Sequence, residues 1–407
     1  MRVEGKVSRL PMGENRTGDP AVERERAYRT ALALLPRMSP VSLPRMIRMA
    51  GGAEELWETL CRGGERAVAL AGGERAGEWK EACRRTDPQR SLDGLVRRGI
   101  RVVLPGEDAV PEVLWRIYDP PALLFARGRE LPRNAVCVAV VGARKATSYG
   151  RRCAEHLAAA LAGRGVVVVS GAAYGIDAHA HRGSLQAGGF TVAVLGCGID
   201  RVYPPEHAGL LARIAESGCL LSEYPPGEEP QPWKFPHRNR IIAGLSLAVV
   251  VVEASARSGA LITADLALEE GREVMAVPGP IGHPLTEGTH SLIKKGAKLV
   301  TGVEDILEEL PVEALRQLER GKEGRAAGEA DSLEGWPPLS SMSPHERAVI
   351  AVLGQEPGTL DLISLRTGVE PHELLATLAS LLIKGWVRQD AGGRYCLSPF
   401  PPQGPFG

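Results

Sequence analysis

Several classes of protein are excluded by what this 407-residue chain lacks. No apolar run approaches the roughly 20 residues that a membrane helix needs, and the first twenty residues are polar and Gly/Pro-rich rather than a leader. No membrane association is expected, and a cytosolic protein follows. The seven cysteines (61, 83, 137, 153, 197, 219 and 396) are scattered without a Cys-x-x-Cys pair, so neither a disulfide frame nor a zinc site is expected. No Gly-x-x-x-x-Gly-Lys-Ser/Thr loop is present. No Gly-x-Gly-x-x-Gly follows a strand with an acidic residue about 20 positions later, so a P-loop and a dinucleotide site both lack their parts. Ser170 and Ser258 stand in Gly loops but outside any Gly-x-Ser-x-Gly elbow, and no orienting base accompanies them. The chain reads as a binding protein without cofactor or metal, not as an enzyme.

What is present is the composition of a globular protein, 44% hydrophobic and 24% charged, long enough for two to four domains. Lysine plus arginine equals aspartate plus glutamate at 49 each, so bulk charge is silent about partners and distribution says more. Arginines and lysines at 127, 129, 133, 144, 145, 151 and 152 face one acidic residue, Glu130, in that stretch, while 304–334 is rich in carboxylates. A basic band of that kind is the footprint of polyanion binding, or a solvated face on an ordinary domain.

From Cys137 to Leu299 one pattern repeats: an apolar strand, a Gly-containing loop, then a helix. Strands are expected over Cys137–Val141, Val166–Val169, Thr191–Leu195, Leu247–Val252 and Glu273–Val277. In a parallel Rossmann-like α/β sheet every such loop lies on the carboxyl edge, where glycines admit a ligand and helix N-termini favour anions. Helical spacing over Ala27–Leu35, Leu43–Met49 and Ala53–Leu60 gives a small module resembling the helix-hairpin-helix or sterile-alpha-motif type. Its hairpin reads Pro36-Arg37-Met38-Ser39-Pro40, without the Gly-x-Gly that holds a phosphate. Residues 311–341 have a linker's composition. Beyond them three helical patterns and a Gly-tipped hairpin have the order of a winged helix, and its third helix is nearly free of Lys and Arg, which favours protein contact over groove reading. The expected domains are a disordered head (1–25), a helical module (26–95), an α/β core (96–310), a linker (311–341) and a winged helix (342–399).

Asp177, His179 and His181 look like metal ligands, but residues two apart on a helix face opposite ways, so a shared metal is not expected. The sharpest signal is Trp233-Lys234-Phe235-Pro236-His237-Arg238-Asn239-Arg240, cations interleaved with an aromatic ring on a loop-to-helix turn. Phosphates would take the cations and an unstacked base the ring, which suits single strands because duplex bases offer no free face. Alternatively Phe235 and Trp233 are core and the arginines pair with Glu223 or Glu253.

These residues resemble the DNA processing protein A family (DprA, also Smf), over roughly Gly99 to Leu310. The carriers are Val141-Gly142-Ala143-Arg144, the run from Ser170 to Asp177, Ala193 to Asp200 with Tyr203-Pro204, Phe235 to Gly244, Ser258 to Ala264 and Val277-Pro278-Gly279. The resemblance implies binding of single-stranded DNA, delivery to the RecA recombinase during transformation or recombination, and homodimerisation through the α/β core. It implies a pocket lined by Gly142, Arg144, Lys234, Phe235, Arg238, Asn239 and Arg240, with Ser170, Gly171, Ser258 and Gly259 offering backbone donors. Two positions depart from the family pattern: His207 stands where Asn is usual, and Gly288-Thr289-His290 replaces Gly-x-Asn. The competing class is a nucleotide phosphoribohydrolase on the same architecture, whose Pro-Gly-Gly-x-Gly-Thr loop and following Glu have only Pro278 to Gly282 as a counterpart here. A duplex-DNA regulator working through the tail is a third reading.

Overall fold

The structure, a computed structural model, describes residues 19–107, 109–132, 134–328, 342–353, 358–384, 386–389 and 394–397. It divides into two compact units at Glu323. The first opens with helices α1 (Pro20–Ala33), α2 (Leu43–Ala50), α3 (Ala53–Arg62), α4 (Glu65–Ala71), α5 (Gly73–Arg85) and α6 (Pro88–Val96). Strands β1 (Arg101–Val103) and β2 (Leu124–Gly128) follow. Next come β3 (Cys137–Val141), α7 (Ser148–Gly163), β4 (Val167–Ser170), α8 (Ile176–Gln186), β5 (Thr191–Leu195), α9 (Ala208–Ser217), β6 (Cys219–Ser222), α10 (Lys234–Leu245), β7 (Ala248–Val251), α11 (Gly259–Glu269), β8 (Glu273–Ala276), α12 (Glu287–Lys294), β9 (Lys298–Leu299), α13 (Val303–Glu308) and α14 (Val312–Gly328).

The nine strands form one sheet in the order β1-β2-β6-β5-β4-β3-β7-β8-β9. From β6 to β9 neighbours are parallel, and β1 and β2 extend the β6 edge antiparallel. The central strands read as Val runs because both faces are covered. Val138 and Val140 point into the layer under α7, while Cys137, Ala139 and Val141 point into the layer under α10 and α11. Helix α7 is held by Thr147, whose hydroxyl caps the Gly150 amide at 3.0 Å, and by Ala154, Leu157, Ala158 and Leu161 at helical spacing. Burying each leucine stabilises by about 1.5–3 kcal/mol.

Helices α1 to α6 share their core with the sheet: Leu32, Leu56, Leu60 and Trp79 belong to the same buried cluster as Phe125, Ala193 and Leu195. Helices α4 to α6 have no counterpart in the sequence expectation, since their apolar positions are sparse and become a face only against α3 and the sheet. Strand β6 is likewise a four-residue run too short to stand out. Two expectations need correcting. Helix α1 begins at Pro20, capped by Asp19, inside the head expected as disordered, whose residues 1–18 lie outside the described ones. Within the expected linker, α14 spans Val312–Gly328, because Ala314, Leu315 and Leu318 find the apolar layer under α7; residues 329–341 lie outside the described ones.

The second unit carries α15 (Pro344–Leu353), α16 (Leu360–Thr367), α17 (Pro371–Ile383) and the hairpin β10 (Val387–Gln389) and β11 (Tyr395–Leu397). It is a winged helix closed over Val349, Ile363, Leu374, Leu378 and Leu381.

Candidate nucleic-acid interface

A cleft of about 370 Å³ opens at the carboxyl ends of β3, β4 and β5, lined by Arg144, Gly171, Tyr174, Gly196, Tyr203 and Phe235 among others. Parallel strands bring these loops together across some 90 residues of sequence. The Arg144 guanidinium lies over the Phe235 ring, 5.2 Å from its centroid, and Tyr203 packs on the same ring at 5.2 Å with 35° between planes. Gly196 lacks a side chain because the Phe235 ring edge would stand 2.8 Å from its Cβ, and Gly171 because Arg238 would stand 2.4 Å away. Both close approaches fix the floor of the cleft.

The cations that the sequence interleaves with Phe235 are mostly turned inward. Arg240 gives one nitrogen to both oxygens of Glu223 at 2.6 Å and another to the Asp119 carbonyl at 2.6 Å. It is buried in an ion pair, so the expectation that it faces the pocket is corrected. Lys234 is 1% exposed, bonded to Glu228 at 2.5 Å and to the Glu229 carbonyl at 2.6 Å. Arg238 sits beneath the floor and donates to the Gly171 carbonyl at 2.8 Å and to that of Val194. Burial pushes its pKa down to about 10, against the pull of Asp177. Sequence spacing shows that these cations surround Phe235 but not which carboxylates meet them.

Of the expected backbone donors, the Gly171 amide points at Asp177 and the Ser258 amide donates to the Ser255 carbonyl at 3.0 Å. Ser170 is buried and its hydroxyl donates to the Val140 carbonyl at 2.7 Å. The amides of Gly171 and Ala173 point at the buried Asp177 carboxylate, whose pKa is raised by burial and drawn back by Arg238 and these amides. Ser258 caps α11 by accepting from the Ala260 amide, and Asn239 donates to the Gly259 carbonyl at 3.4 Å. This group lies at the end of β7, along the same edge but two strands from the cleft centre. Gly142 lies at the base of the β3 loop against Ile176 and the Glu253 carbonyl.

Between the ends of β3 and β7 the strand order reverses, the point at which such folds commonly hold a phosphate. Here the chain's own Glu253, 1% exposed, fills that crevice and accepts from the Thr147 amide at 2.9 Å and the Thr147 hydroxyl at 2.5 Å. Arg144, Lys145, Arg151, Arg152 and Arg257 remain exposed around it, and none of them forms an ion pair with a carboxylate among the described residues. Arg133 of the basic band lies outside the described residues, and the fold divides the rest. Arg127 and Arg129 end an antiparallel strand at the opposite, amino edge, where Gly128 pairs with Cys219.

Asp177, His179 and His181 part company: His179 meets Glu155 at 2.7 Å, and His181 is buried against Thr191 at 2.7 Å. Among the described residues no three of His, Cys, Asp or Glu converge as a metal would need, and no helix is long and apolar enough to cross a membrane. Tyr174, Tyr203 and Glu253 were not assigned from sequence. The first two sit in loops directly after strands, which is the signal that could have marked them.

The family model of DNA recombination-mediator protein A matches residues 101–311, and that of the DprA winged helix domain matches residues 336–393. The protein Smf of Escherichia coli is 39% identical over 308 residues, 75% of this chain and 79% of its own length. DNA processing protein DprA of Bacillus subtilis is 44% identical over 223 residues, 54% of this chain and 75% of its own length. The crystal structure of DNA processing protein A from Streptococcus pneumoniae superposes with a TM-score of 0.58 at 35% identity, over 70% of this chain and 98% of that one. The chain therefore belongs to the DNA recombination-mediator protein A family, the DprA or Smf proteins.

Proposed function

We propose that this protein binds single-stranded DNA in the cleft at the carboxyl ends of β3 to β5 and delivers the strand to a RecA-type recombinase, without catalysing a reaction itself. The observation that carries the binding half is the pairing of an exposed cation, Arg144, with exposed and half-buried aromatic rings in one open cleft. Backbone phosphate meets the cation and an unstacked base meets a ring, and a duplex can supply only the first. The recombinase half rests on family membership. Homodimerisation through the α/β core is part of the same proposal, and the exposed Ile262, Leu268 and Leu299 toward the β9 edge offer apolar surface for it. A phosphoribohydrolase would need the β3/β7 crevice for its nucleotide phosphate, and a carboxylate there repels one.

Fluorescence anisotropy with single-stranded and duplex oligonucleotides of equal length and matched salt tests binding. Preference for the single strand is expected, and equal affinity would sink the reading. Arg144→Ala should flatten the salt dependence by about 0.7 in slope, and Phe235→Ala, which removes the ring that Arg144 and Tyr203 pack on, should weaken binding. Strand exchange by the cognate recombinase on DNA coated with single-strand-binding protein tests delivery, and no stimulation by this protein would reject it.

A further inference from the structure

Aromatic residues make up only 4% of the chain, yet among the described residues every exposed aromatic side chain except Tyr118 stands on the carboxyl edge: Tyr149, Tyr174, Tyr203 and Trp233. Phe235 is the ring that its cationic neighbours single out, but it is half-buried. Arg144 lies over it, Tyr203 packs on it, and Gly196 meets its edge. The ring surface open in the cleft belongs instead to Tyr203, 37% exposed, and Tyr174, 41% exposed.

Both rings are held in place. The Tyr174 hydroxyl donates to Glu206, and its ring meets the edge of buried His207 at 5.1 Å and 66°. His207 Nδ1 bonds the carbonyl of Ala172 at 2.9 Å, so the residue that departs from the family pattern ties the β4 loop to the platform. Tyr203 is braced by Phe235. An exposed ring already fixed in one orientation loses little rotamer entropy when a flat ligand stacks on it.

We propose that Tyr203 and Tyr174 are the ring faces that receive unstacked bases, with Phe235 backing Tyr203 and Arg144 taking a neighbouring phosphate. This rests on the single-strand reading above and assigns its base-stacking residues. Glu206 and His207 act as positioning residues for Tyr174.

The test irradiates the full chain with a short oligothymidylate carrying one 5-iododeoxyuridine and maps the cross-linked peptides by mass spectrometry. In parallel, anisotropy is measured for Tyr203→Ala, Tyr174→Ala and the ring-keeping Tyr203→Phe and Tyr174→Phe. Cross-links at Tyr203 or Tyr174 are expected, with affinity roughly 5- to 150-fold weaker in the alanine variants, largely kept in Tyr203→Phe and between the two in Tyr174→Phe, which loses the bond to Glu206. Alanine variants that bind as the wild type does, with cross-links confined to Phe235 or Trp233, overturn this assignment and leave single-strand binding standing. A wild-type chain that does not bind the oligothymidylate overturns both. A Tyr203→Phe variant as weak as Tyr203→Ala, with unchanged melting, overturns the stacking role.

Discussion

Replacing Arg240 by methionine tests whether the cluster around Phe235 is structural or faces DNA. The side chains of Arg240 and Glu223 are 10% and 3% exposed, and the guanidinium also donates to the Asp119 carbonyl and lies 3.3 Å from His237. Removing it leaves Glu223 buried without its counterion. Burial already raises the Glu223 pKa and Arg240 is the main opposing pull, so the carboxyl would be driven further up and take a proton. Breaking a buried pair costs about 3–5 kcal/mol. At about 2–4 °C per kcal/mol for a unit of this size, the melting temperature should fall by roughly 6–20 °C. The sign with pH follows: in the variant the folded pKa of Glu223 lies above its unfolded value, so the loss is largest at neutral pH and shrinks on acidification. The double variant Arg240→Met, Glu223→Leu should recover most of the loss, because an apolar pair of similar volume needs no desolvation compensation. Scanning calorimetry reads these shifts, and anisotropy across a salt series reads DNA. The double variant should keep the wild-type salt slope. A slope lower by about 0.7, or a single variant that melts like the wild type, would refute the inward role of Arg240.

Three further outcomes are expected. His181 accepts no bond at Nε2, because Thr191 gives its only hydroxyl proton to the Val168 carbonyl and so takes the Nδ1 proton. Burial lowers its pKa from 6.5 to about 3, so the stability it contributes is present above pH 6.5 and lost as pH falls toward 3. His181→Gln should reduce the acid slope of unfolding free energy by about 1.4 kcal/mol per pH unit, and an unchanged slope in urea titrations between pH 6 and 4 would count against this. Gly150→Ala would put its Cβ 2.3–2.7 Å from the Glu253 carboxylate, and should cost about 1–3 kcal/mol in calorimetry; wild-type melting would mean that Glu253 does not fill the crevice. Deleting the winged helix from residue 342 should leave most single-strand affinity in place, and loss of most of it would reject the assignment of binding to the core.

The sequence by itself determined the repeating strand-loop-helix order, because hydrophobic period and glycine placement are local properties that survive without a fold. Strands β3, β5 and β7, helices α15 to α17 and the wing hairpin stand where periodicity put them. The interleaving of cations with a ring singles out Phe235, and the family resemblance adds Arg144; the cleft brings the two together. What the sequence could not decide was direction and partnership. Whether Arg240 meets phosphate or Glu223 depends on a carboxylate 17 residues away that β6 carries into reach. Whether cations close in sequence form one band depends on the antiparallel turn of β2, which sends Arg127 and Arg129 to the edge opposite Arg144. Helices α4 to α6 and the start of α14 needed an apolar surface supplied by distant segments. Charge and ring count are written along the chain, but burial is a property of the packed molecule, and burial decides which of these groups faces a ligand and which holds the protein together.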